Sequence, residues 1–241
     1  MSAIVERSWF GDALRIDWWD QPVSPAGATD PLERLYQASR TRLLGLAEAG
    51  GQPVSIVAHS VGAVLAVLLL RSEPAAIRSA VLINPTFDLQ RAFVCLARQV
   101  CVRGVGSKAG RDVLARMASE SCGLLDWAAA FAGVPERFEL YWARQSRAAR
   151  DRYVQAFPSG PPLDLHTFGA VGQAIQDRRH ELPGTATTIP VVALIGDQDP
   201  MLPDDPVGDV RTRLPRAAVR IVTGGHMAIF EQPPSVWAPS G

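Results

Sequence analysis

This chain of 241 residues carries no excess of charge of either sign: 24 basic residues balance 24 acidic ones. That absence argues against a nucleic-acid partner, because binding a polyanion rests on a basic surplus. Long apolar runs are missing too. The longest, VGAVLAVLLL (61–70), is about half of the roughly 20 residues that a membrane span needs, so no membrane role is expected. Charged Glu6 and Arg7 follow Met1 closely, and no secretory signal pattern is visible. Cysteine is scarce: Cys95, Cys101 and Cys122 form an odd set without metal-ligand spacing. They suit a reduced, cytoplasmic chain better than a disulfide scaffold and read as small core hydrophobes. Lysine is nearly absent, Lys108 being the only one. Apolar residues are plentiful at 47%, which excludes intrinsic disorder. A globular protein of the cytoplasm is the expectation.

Strand and helix signals alternate over the first third. ALRIDWW (13–19) reads as a short apolar strand closed by Asp20, Gln21 and Pro22. Asp30-Pro31-Leu32-Glu33 opens a helix with an N-cap acid, a proline at the first helical position and a glutamate at the third. Leu32, Leu35, Tyr36, Leu43 and Leu46 share its apolar face, and Gly50-Gly51 ends it. VSIVAH (54–59) reads as a buried strand running into a helix over 61–72, and SAVLIN (79–84) as another buried strand. Residues 86–188 break the rhythm with helical signals. PVVALIG (190–196), a helix near 204–214 and AVRIVTGG (218–225) then restore it. The economical architecture is α/β, with a core formed by residues 1–85 and 189–241 and a helical cap over 86–188.

Three strand ends carry chemistry-bearing residues. Ala58-His59-Ser60-Val61-Gly62 lies between a strand and a helix. A tight turn there presents a nucleophile above the sheet, beside the positive end of a helix. Small residues two before and two after the serine, Ala58 and Gly62, are expected to let that turn close. Gly196-Asp197-Gln198-Asp199-Pro200 places a carboxylate after PVVALIG, and Gly224-Gly225-His226-Met227 places an imidazole after AVRIV. The order Ser…Asp…His suits a relay in which histidine deprotonates serine and an acid orients the histidine. His59 reads as a packing or hydrogen-bonding neighbour of the serine. DQDPMLPDDP (197–206) superficially matches a calcium loop but fails at Met201 and Leu202, so no metal is expected.

AHSVG (58–62), ALIGDQDPMLP (193–203) and GGHMAIFEQPPSVW (224–237) together resemble the α/β-hydrolase fold superfamily, in particular its capped serine hydrolases. RIDWWDQP (15–22) is similar to the segment after that family's fourth strand. The resemblance implies a mostly parallel sheet with the helical cap inserted after the sixth family strand. It also implies Ser60 as nucleophile, Asp199 as acid, His226 as base and the Val61 N–H as an oxyanion donor. Asp197 is an alternative acid, and Asp88 becomes a candidate if the acid follows the sixth strand. No cofactor is implied, because triad chemistry needs none.

The sequence departs from that family in two ways. Ala58 replaces the usual first glycine of the nucleophile motif. Only 14 residues precede Arg15, with no His-Gly among them, so counterparts of the first strands and of the second oxyanion donor are not recognised. RIDWW is therefore expected to pair directly with VSIVAH or to lie at an open edge, which favours a homodimer or an aggregation-prone monomer more than in an intact relative.

Three functional readings stay open. The first is a serine hydrolase acting on an ester, thioester or similar acyl bond of a small, hydrophobic substrate, with Phe131, Phe138, Tyr141, Trp142, Tyr153 and Phe157 as candidate apolar lining. The second is a binding protein of the same fold with little turnover. The third is a C–C bond hydrolase or lyase using the same triad.

Overall fold

The computed structural model describes residues 29–119, 122–156, 165–178 and 184–237. RIDWW with its two tryptophans, Phe157, His180 and the side chain of His166 lie outside them. So does the expected pairing of RIDWW.

The first helix, α1 (Pro31–Gly50), starts where its capping signals put it. The Asp30 carboxylate accepts the Glu33 N–H at 3.0 Å, and Gly51 closes the helix in the left-handed region at φ 61°. Next come β1 (Val54–His59), α2 (Gly62–Ser72) and β2 (Ile77–Ile83). The helical stretch that follows contains α3 (Leu89–Val102), α4 (Lys108–Met117) and α5 (Leu124–Ala132), then a 3-10 segment (Pro135–Tyr141). Two further helices, α6 (Arg147–Ala156) and α7 (Leu165–Asp177), complete it. The chain then forms β3 (Val191–Gly196), α8 (Pro206–Arg213) and β4 (Ala218–Val222), and two short helices, α9 (Ala228–Glu231) and α10 (Pro234–Trp237).

Among the described residues four strands form one parallel sheet in the order β1-β2-β3-β4. Alternation along the strands sends neighbours to opposite faces. Ala80, Leu82, Ala193 and Ile195 pack on one side with Leu35 and Leu43 of α1, Val64 and Leu70 of α2, and Val210 of α8. Val81, Ile83 and Leu194 point the other way, onto Ala228 and Ile229. Expected to be buried throughout, β1 instead alternates, with Val57 left 38% exposed. The cause is its position: among the described residues β1 pairs on one side only, with β2.

The helical stretch builds its own core from Phe93, Leu96, Leu114, Trp127, Phe131 and Leu140. It is not a detached unit. Val171 and Ile175 of α7 join the sheet-side core near α1, and the Arg178 guanidinium pairs with Asp30. Expected as small core hydrophobes, the three cysteines are only half-buried, within or beside the helices of this stretch, and burial pushes the Cys95 and Cys101 thiols up. Among the described residues no helix is long and apolar enough to cross a membrane.

Leu82 is 0% exposed at the centre of the sheet, so Leu82→Ala leaves a cavity under α2. We expect it to lower unfolding stability by about 2–5 kcal/mol, read as a fall in the denaturant midpoint at an unchanged slope.

Candidate active site

Parallel pairing brings the carboxyl ends of β1, β3 and β4 to one edge, where the chemistry-bearing residues meet. Ser60 occupies the turn from β1 to α2 with a left-handed backbone, φ 54°. Such a conformation costs about 1–3 kcal/mol for a residue with a side chain, and the surroundings must impose it. Here the Ser60 N–H donates to the Ile83 carbonyl at 2.9 Å and the Ser60 carbonyl accepts from Thr86 N–H at 3.2 Å. The first turn of α2 then bonds from Ala63 and Val64 back to the carbonyls of Ser60 and Val61. This leaves the Val61 amide at the helix start, ahead of those bonds, where a developing anion is favoured. Ala58 is buried, as a tight turn requires, but a Cβ on Gly62 meets nothing within 4 Å. The space expected to demand that glycine is open.

Asp199, with its side chain 2% exposed, accepts twice. One carboxylate oxygen takes the Met201 N–H at 2.8 Å, and the other lies 2.8 Å from His226 Nδ1. A carboxylate only accepts, so Nδ1 carries the proton and Nε2 presents its lone pair. Ser60 Oγ sits 3.0 Å from that Nε2 and can donate into it. The chain Asp199–His226–Ser60 is therefore continuous. The other candidate acids are engaged elsewhere: exposed Asp197 accepts the Gly224 N–H at 3.1 Å, and Asp88 caps α3 through the Arg91 N–H at 2.9 Å. Among the described residues no three His, Cys, Asp or Glu side chains are grouped to hold a metal ion.

His59 turns its Nε2 toward the His226 carbonyl at 2.7 Å, so that nitrogen is the protonated donor. Desolvation, and secondarily the nearby His226 ring at 4.9 Å, push its pKa down to about 4. Two residues not singled out from sequence complete the surroundings. Asn84, just after β2, accepts the Gly196 N–H at the end of β3 and donates to the Gly225 and His226 carbonyls in the loop after β4. Half-buried Glu231 accepts the Gly225 N–H at 2.8 Å and the Ala143 N–H at 2.9 Å, with burial raising its pKa against those two bonds. It thereby ties the histidine loop to the helical stretch, as does the Met227 N–H donating to the Tyr141 carbonyl at 3.0 Å. The only hints in the sequence were an asparagine before proline at a strand end and a glutamate near the end of the GGHMAIFE motif.

The candidate lining aromatics mostly pack on one another. Phe131 stacks on Trp127 and lies edge-on to Phe93, while Phe138, Trp142 and Tyr153 form a second cluster. Tyr141 does approach the site, with its ring 5.4 Å from that of His226. A cleft lined by Thr86, Asp88, Arg91, Asp199 and Met201 opens beside Asp199.

Residues 35–233 match the alpha/beta hydrolase fold family. The chain belongs to that family. Solved members of this fold superpose on it: the proline iminopeptidase-related protein of Thermus thermophilus has a TM-score of 0.61 at 22% identity, over 86% of this chain and 69% of that one. An alpha/beta hydrolase enzyme from a Medee basin deep-sea metagenome library superposes at 0.56 and 15% identity, over 88% and 71%. The 2-hydroxy-6-oxo-6-phenylhexa-2,4-dienoate hydrolase of Rhodococcus sp. strain RHA1 does so at 0.53 and 16%, over 86% and 69%. At such identities the likeness is one of fold. No curated protein matches the chain. The helical stretch enters after β2, and Asp199 follows β3.

Two predictions follow from this geometry. A Cβ on Gly225 would lie 2.4 Å from the Tyr141 carbonyl and 2.7 Å from the Ala143 amide, both rigid backbone. Gly225→Ala should therefore cost about 1–3 kcal/mol of stability, measured by denaturant unfolding. The folded His59 ring holds a proton less tightly than the unfolded chain does. Between about pH 6.5 and 4 the unfolded state binds that extra proton, so stability falls as pH drops through this window. Replacing His59 by Gln should flatten the slope of stability against pH there by up to about one proton, or about 1.4 kcal/mol per pH unit.

Proposed function

We propose that the protein is a serine hydrolase cleaving an ester, thioester or similar acyl bond through an acyl-enzyme. The observation that carries this reading is the unbroken run of hydrogen bonds from buried Asp199 through His226 to Ser60, at 2.8 and 3.0 Å. Ser60 Oγ attacks the acyl carbon while its proton passes to His226 Nε2, and Asp199 stabilises the imidazolium that forms. The Val61 N–H faces the negative charge that develops on the acyl oxygen. His226 then protonates the leaving group and the acyl-enzyme forms. In the second half, His226 takes a proton from water as its oxygen attacks the acyl carbon; the bond from that carbon to Ser60 Oγ then breaks, the acid leaves, and His226 returns the proton to Oγ.

The helical stretch acts in this reading as a cap, held to the base loop by Glu231 and by the Tyr141 carbonyl. A hydrophobic acyl group suits its apolar interior. Val61, next to the nucleophile, packs against the cluster of Phe93, Trp127, Phe131 and Met201.

Kinetics on a panel of activated esters test the proposal. Ser60→Ala and His226→Ala should each lower kcat by about 10⁴-fold or more, and the double variant should be no worse than either, because triad members act as a unit. Asp199→Asn should cost about 10⁴-fold, whereas Asp197→Asn leaves most activity. Equal damage from the two asparagine variants contradicts the assignment of Asp199. A folded wild type that turns over no acyl substrate contradicts the hydrolase and leaves a binding protein of this fold.

A further inference from the structure

We infer that Asn84 is a positioning residue for His226: its side-chain amide ties the loop carrying the imidazole to the end of β3, and so sets the reach of that ring toward Ser60. As it bears on turnover, the inference rests on the hydrolase reading above.

Asn84 is 1% exposed and all its side-chain contacts converge on the site. Its Nδ2 donates to the carbonyls of Gly225, at 2.8 Å, and His226, at 2.9 Å. Its Oδ1 accepts the Gly196 N–H at 2.7 Å. The orientation of the amide is set by its partners, since two carbonyls demand donors and one N–H demands an acceptor. Its backbone N–H donates to the Leu194 carbonyl at 2.8 Å. One residue thus joins β2, β3 and the base loop.

The His226 carbonyl has a second donor in His59 Nε2, at 2.7 Å. Side chains from the ends of β1 and β2 therefore fill both lone pairs of that oxygen. The loop also lies directly on β3, because a Cβ on Gly196 would come 2.5 Å from the Gly224 carbonyl and 2.6 Å from the Gly225 carbonyl. The imidazole extends from this anchored backbone to two partners at 2.8 and 3.0 Å. A slip of about 1 Å would break that alignment and can cost about 10²-fold in rate. The backbone of Asn84 is left-handed, φ 46°, which asparagine, aspartate and glycine tolerate better than other residues.

Two variants respect that backbone. Asn84→Gly removes the amide. Asn84→Asp keeps its size and its acceptor but turns an oxygen toward two carbonyls. For each, kcat is divided by the number of sites that react with a fluorophosphonate, so that misfolded molecules drop out. We expect kcat per reactive site to fall about 10²-fold with KM little changed. A purely structural residue would reduce the number of reactive sites and leave kcat per site intact. A second readout does not depend on turnover: the low-field proton resonance of His226 Nδ1–H, held by Asp199, should be present in the unaltered protein and lost in both variants. In the unaltered protein the Asn84 Nδ2 protons should also exchange with solvent as slowly as core amides. Rapid exchange overturns the inference even if neither variant folds. Retention of the His226 resonance, with kcat per site within about twofold of the unaltered protein, overturns it as well. If the unaltered protein turns over nothing while the resonance is present and lost on substitution, the hydrolase reading fails and the positioning role stands.

Discussion

Parallel pairing makes every strand of this sheet end at the same edge, and the polar contacts of the site descend from that constraint. Ser60 follows β1, Asn84 follows β2, Asp199 lies just past β3 and His226 just past β4. In a parallel sheet neighbouring strands are about 4.7–4.9 Å apart, so the ends of β1 and β4 lie three spacings from each other. The loop after β4 crosses back over the end of β3, onto Gly196, to bring His226 to Ser60. The helices supply the force that keeps the edge in register: α1, α2 and α8 bury one face of the sheet, and Ala228 and Ile229 the other.

Strain is concentrated at that edge. Ser60 and Asn84 are the two residues other than glycine with positive φ among those described, and they sit at adjacent strand ends. Each is held by backbone bonds to the neighbouring strand: Ser60 to Ile83, and Asn84 to Leu194. The apolar core thus stabilises two unfavourable turns that aim polar groups out over the sheet. The helical stretch completes the arrangement from above. Its 141–143 segment packs against Gly225 so closely that no side chain fits between them. The loop carrying His226 is therefore gripped from both sides, by Asn84 and His59 below and by Glu231 and Tyr141 beyond.

Much of this was legible in residue patterns. Asp30-Pro31 and Gly51 bounded α1 because caps are local chemistry, and the runs at 54–59, 79–84 and 190–196 marked strands because they are short, apolar and β-branched. Ser60, Asp199 and His226 stood out because each follows a strand signal, and the structure brings the three side chains within hydrogen-bond distance. What escaped was tertiary. Asn84 looks like any residue before a proline until the carbonyls of Gly225 and His226, more than 140 residues away, are brought to it. Glu231 reads as a helix-end acid until Ala143 arrives from the helical stretch. Gly62 was expected to relieve crowding at the turn, yet the space beside it is open, because the turn closes through hydrogen bonds of Ser60 itself. The exposure of Val57 follows from pairing partners, which apolar content alone does not report.

The central claim is that Ser60 is an activated nucleophile whose proton leaves through His226. Mass spectrometry after treatment with a fluorophosphonate measures this most directly, because covalent capture needs an activated serine and no knowledge of the substrate. A single adduct on the peptide containing Ser60 is expected in the unaltered protein, and none in Ser60→Ala or His226→Ala. A folded, unaltered protein that stays unlabelled, or an adduct that persists after Ser60→Ala, would contradict that claim.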